Sequence, residues 1–146
     1  MQLTVYSDYS LRVLLYLAVH PAHTATINDI ARAYAISRNH LVKVVHNLAT
    51  QGFLHTTRGR GGGISLADDP ANIIVGNVVR KTEGRFDLVE CFDNVNNTCP
   101  ITAACALKSA LYEARSAFLD VLDKYTLADV LANDDWLRHK LGLPQE

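Results

Sequence analysis

The sequence is short of cysteine, and the few it has are crowded together. Of 146 residues only Cys91, Cys99 and Cys105 are cysteines, all inside one fifteen-residue window. An odd count with none elsewhere argues against a disulfide framework, which favours even numbers and a secreted chain. Acids are scarce in the front half. Residues 1–66 hold only Asp8 and Asp29 against six Lys and Arg, a balance of +4. Residues 67–146 reverse this, with eight bases against thirteen acids, a balance of −5. No apolar run reaches the length of a membrane span, and the N-terminus lacks the basic-then-apolar pattern of an export signal. The expectation is a cytoplasmic chain with no membrane partner. No Ser-His-Asp or paired-carboxylate constellation stands out, so an enzyme is not expected.

What is present is a helix-rich pattern with one change of period. Ser7 or Asp8 is the expected cap of a first helix that runs to Val19 and stops before Pro21. Thr26 and Asp29 form a capping-box start for a short helix over 27–34, with Ile27, Ile30, Ala31 and Tyr34 on one face. Ser37 opens a third helix that ends near Gly52, with Leu41, Val44, Val45 and Leu48 as its buried stripe. Residues 53–57 and 63–66 then read as two strands joined by the basic turn Arg58-Gly59-Arg60-Gly61-Gly62. Three helices followed by a basic hairpin is the order of a winged helix-turn-helix.

In that fold the second helix of the pair enters the major groove, and its first residues reach base edges. Here those residues are Arg38, Asn39, His40 and Lys43. Arg58 and Arg60, with Gly61 and Gly62, place charge and close backbone approach at the wing tip. The glycine run lacks the Lys-Ser/Thr and following helix of a nucleotide-binding P-loop. The basic front half fits a polyanionic partner, double-stranded DNA. His20, His23 and His55 read as surface or capping residues.

Residues 73–82 predict a fourth helix ending at Gly84. A polar loop over 85–104 carries two cysteines, and Cys105 sits where a long helix begins. Leu107, Leu111, Ala114, Phe118, Val121 and Tyr125 step by four and three along it, the stripe of a helix that packs on another. Thr126 and Asp129 start a further short helix. Seven residues separate Cys91 from Cys99 and five separate Cys99 from Cys105. Structural zinc prefers tighter pairs, whereas thiolates spread over an irregular loop suit an iron–sulfur cluster. Three thiolates leave one ligand to find. Glu90 and Asp93 are nearby oxygens, and Asp8, of this chain or a partner, is a distant one.

Several stretches together resemble the small iron–sulfur winged-helix regulators of the NsrR/IscR/RirA family over nearly the whole chain. They are Met1-Gln2-Leu3-Thr4 with Asp8-Tyr9, Ser37 to Lys43, Arg58 to Ile64, Cys99-Pro100-Ile101-Thr102, and Tyr125 to Asp129. The likeness is nearest to the family's nitric-oxide-sensitive repressors. It implies a mainly α chain divided into a winged helix-turn-helix DNA-binding domain (1–84), a cluster-binding loop (85–105), and a dimerisation helix with a C-terminal helical segment (106–146). It further implies a homodimer on a palindromic operator, with nitric oxide as the signal. The cluster would be held by Cys91, Cys99 and Cys105, with Asp8 of the other subunit as fourth ligand. A [4Fe-4S] cluster is favoured over [2Fe-2S], because Lys108 stands where family members with a Cys-His site carry histidine. An iron-responsive regulator and a cluster-containing electron-transfer protein are the two alternatives.

Overall fold

The computed structural model describes residues 1–145. Six helices and one hairpin follow in the order α1 (Val5–Val19), α2 (Ile27–Tyr34), α3 (Arg38–Thr50), β1 (Leu54–Thr57), β2 (Gly63–Leu66), α4 (Val75–Glu83), α5 (Ala106–Leu122) and α6 (Asp134–Lys140). This is the mainly α winged-helix architecture expected. Among the described residues no helix is long and apolar enough to cross a membrane.

The core is built where α1, α3 and the wing meet. Val13, Leu14 and Leu17 of α1 are fully buried against Ile30 of α2 and the Leu41, Val44, Val45, Leu48 stripe of α3. Burying one such side chain contributes roughly 1.5–3 kcal/mol, so this apolar seam sets the angle at which α3 is held. Leu54 and Ile64 bring the wing into the same core. So do Leu127 and Leu143, from beyond α5. The tail therefore folds back onto α1, where Arg138 Nε donates to the Val19 carbonyl at 2.9 Å.

One start differs from expectation. The cap of α1 is Thr4 rather than Ser7 or Asp8, and the Ser7 amide donates to Thr4 Oγ1 at 3.2 Å. The reason is a tertiary contact. Glu83, at the end of α4, accepts from the Thr4 amide at 2.7 Å and from its hydroxyl at 3.0 Å. Ser7, freed from capping, turns inward to a buried hydrogen bond with Thr82 Oγ1 at 2.8 Å. Asp8 is left on the outer face of the first turn. The long helix is also shorter at its end than the apolar stripe suggests. The chain leaves α5 after Leu122, and the Tyr125 carbonyl accepts from the Val75 amide at 2.9 Å.

Candidate nucleic-acid interface and cysteine loop

The reading surface rests on α2. Its capping box is complete: Asp29 N–H donates to Thr26 Oγ1 at 3.2 Å, while Asp29 Oδ2 accepts from the Thr26 amide at 3.0 Å. The hydroxyl and amide of Thr26 hold the Asp29 carboxyl below its usual range. A left-handed Ala35 then turns the chain sharply into α3. With the stripe of α3 buried, Arg38, Asn39, His40 and Lys43 are all exposed on the opposite side. Arg38 is held by Asn28, whose Oδ1 accepts from Nε at 3.0 Å. His40 lies against the ring of Tyr9, centroid to centroid 6.3 Å.

The wing pairs Leu54 with Leu66 and Thr57 with Gly63. A third segment pins it, since Ala25 and Ile64 exchange backbone hydrogen bonds of 3.0 and 2.8 Å. Arg58 and Arg60 are exposed at the tip. Gly61 has φ +74°, a conformation other residues rarely adopt. Gly62 packs on the Thr57 carbonyl so closely that a Cβ would collide with backbone. These two glycines shape the turn that carries the two arginines.

The cysteine loop is held from one side by α5. The Tyr112 ring packs on Phe92 at 4.5 Å, and Arg115 lies over both rings, at 4.1 and 4.9 Å. Arg115 also donates to the Phe86 carbonyl at 3.1 Å, and Phe86 stacks on Phe118 at 5.5 Å. Phe118 of the stripe is thus engaged within its own chain. Cys91 precedes the buried Phe92, Cys99 lies in the irregular stretch after the turn at 94–96, and Cys105 is the residue before α5. All three are free thiols and half-buried.

The nearby oxygens have other work. Glu90 Oε1 accepts from the Thr98 amide at 2.5 Å and its hydroxyl at 2.7 Å. Asp93 accepts from the Asn96 side chain at 2.7 Å, the Val95 amide at 2.9 Å and Arg85 at 2.6 Å. Those donors hold both carboxyls below their usual range. Both carboxylates are tied into the loop they sit in. Asp8 pairs instead with Arg12 of its own helix, through Nη2 at 2.8 Å and Nε at 3.1 Å. Among the described residues, no three His, Cys, Asp or Glu side chains of the single chain converge on one metal ion. The donor chemistry nevertheless fits a cluster: three free thiols on one loop, with no disulfide competing for them.

Sequence reasoning did not single out Asn28, Tyr112 or Arg115. Asn28 lies ten residues before Arg38, outside the reading helix, and only the turn at Ala35 brings the two together.

The model of the Rrf2 family, described as iron-dependent transcriptional regulators, matches residues 3–133. The chain belongs to the Rrf2 family. Among its Rrf2-family relatives, the regulator NsrR of Bacillus subtilis (strain 168) is 53% identical over 136 residues, 92% of this chain and 93% of that protein. NsrR of Shouchella clausii (strain KSM-K16) is 50% identical over 139 residues, 94% and 93% of the two chains. CymR, described as the global cysteine regulator of B. subtilis, superposes with a TM-score of 0.71 at 26% identity, covering 89% of this chain and 95% of that one. IscR of T. potens superposes at 0.74 and 24% identity, covering 100% and 94%, which shows the shared fold alone. Rrf2 membership makes the chain a DNA-binding transcriptional regulator, and the winged helix is the part of it built to bind DNA.

Proposed function

We propose that the chain is a transcriptional repressor that senses nitric oxide through an iron–sulfur cluster. The observation that carries this is the set of three free, half-buried thiols on one loop braced by α5, in a chain about half identical to regulators named NsrR. Residues 1–84 form the DNA-reading unit, 85–105 the cluster loop, and 106–146 the dimerisation helix and C-terminal segment. Cys91, Cys99 and Cys105 would hold a [4Fe-4S] cluster. Asp8 of a second copy is the fourth ligand most consistent with the loop, because Glu90 and Asp93 are already committed to hydrogen bonds there. When bound, the cluster would supply iron able to react with nitric oxide, and Asp8 would fill the one ligand position that the three cysteines leave open.

The chain's own residues give the coupling. Tyr112 and Arg115 clamp the loop to α5, so the loop's state bears on the helix that sets the spacing of two winged units. In a two-fold dimer, the α3 helices then meet major grooves about one turn, roughly 34 Å, apart on a palindromic operator. Arg38, Asn39, His40 and Lys43 face base edges, while Arg58, Arg60, Gly61 and Gly62 meet the backbone or minor groove. If the loaded form binds DNA more tightly, DNA must in turn favour the loaded form by the same factor.

Nitric oxide added to anaerobic, cluster-loaded protein is expected to abolish an operator gel shift. An unchanged shift overturns this reading. A response to iron chelator but not to nitric oxide points instead to iron sensing.

A further inference from the structure

Arg38 opens α3 in an awkward place. The first helical position faces the positive end of the helix dipole, and the first turn of α3 holds no acid to offset the charge. A long, exposed arginine there has many rotamers to choose among. One is selected, because Nε donates to Asn28 Oδ1 at 3.0 Å. Asn28 is itself well anchored. It is the second residue of α2, directly inside the Thr26–Asp29 capping box. Ala25, just before that box, is bonded to Ile64 of the wing. Asn28 and Arg38 line a notch of about 290 Å³ together with Thr56, Thr57 and Gly62 of the wing. The contact thus sits where helix and wing, the two DNA-facing elements, come together.

We propose that Asn28 is a specificity-determining positioning residue. It occupies Nε of Arg38 and so commits the terminal pair, Nη1 and Nη2, to the DNA. This rests on the reading that α3 enters the major groove. A guanidinium can offer a guanine either its Nε–Nη side or its terminal Nη1–Nη2 pair. With Nε taken, only the terminal pair remains, and guanine O6 and N7 are met end-on. Asn28 then shapes base choice through Arg38 without contacting the base.

The test uses the full-length, cluster-loaded protein and a randomised pool of DNA duplexes. Selection reads base preference, and fluorescence anisotropy then gives affinities for the selected duplex and for an unselected one. Asn28→Ala is expected to weaken binding to the selected duplex about three- to tenfold, as for one hydrogen bond. Binding to the unselected duplex and the salt dependence stay unchanged, because no phosphate contact is lost. Preference for guanine relaxes at one position per half-site. Asn28→Asp, which keeps the acceptor oxygen, retains that preference. In an Arg38→Ala background, Asn28→Ala costs nothing further. Equal losses in both backgrounds, or no loss in either, overturn the positioning role. If Arg38→Ala leaves base preference unchanged, the reading of α3 falls and this proposal falls with it. A normal loss from Arg38→Ala beside a silent Asn28→Ala overturns only the role of Asn28.

Discussion

Asp8 shows how little its present partner constrains it. The carboxylate takes two hydrogen bonds from Arg12, one turn further along α1, yet both side chains are about half exposed. An exposed i,i+4 pair contributes only about 0.3–0.5 kcal/mol. Breaking it to serve another partner is therefore cheap, in contrast to Glu90 and Asp93, whose loss would unpick the cysteine loop. Asp8→Ala should accordingly leave the fold intact. Under the proposed reading it alters the iron environment of the loaded dimer, visible in Mössbauer spectra of anaerobically prepared protein. Identical spectra for wild type and Asp8→Ala remove Asp8 from the site.

At the scale of the element, α2 packs on both the core and the reading helix, and it is short. Eight residues gain little from helix propensity alone, so its cap matters more than it would in a long helix. Thr26→Ala removes one capping oxygen, and about 1 kcal/mol of stability should go with it in urea unfolding curves. No measurable loss would show that core packing alone sets the start of α2. The cap also carries a pH dependence. Its hydrogen bonds hold the Asp29 carboxyl below the usual range. Its contribution is therefore complete above the ordinary carboxylate pKa and fades as pH falls through the lowered folded value. The bounds of α2 were legible in the sequence because Thr26 and Asp29 satisfy each other locally. The start of α1 was not. Thr4, Ser7 and Asp8 all carry a capping oxygen, and the choice between them is made by Glu83, some eighty residues away.

Across the whole molecule, legibility follows the same division between local and distant contacts. The winged helix could be read from periods and turns, since each stripe needs only its own element. The reading face followed by elimination once the apolar stripes were assigned. The cysteine window was also plain, but not its clamp, because Tyr112 and Arg115 act on residues twenty to thirty positions back. The helix α5 presents the opposite case: its stripe was legible, yet the chain alone leaves it largely uncovered. None of its residues is buried, and Leu107 and Val121 remain 65% and 49% exposed. Full burial of such side chains is worth roughly 1.5–3 kcal/mol each, which a second copy of α5 would supply. Leu107→Glu with Val121→Glu should then leave circular dichroism unchanged, because neither residue supports its own chain's core. The same pair should shift the sedimenting mass from dimer to monomer and cut operator affinity roughly a hundredfold, through loss of the second linked half-site. A dimer that persists with both glutamates in place would mean that α5 is not the seam.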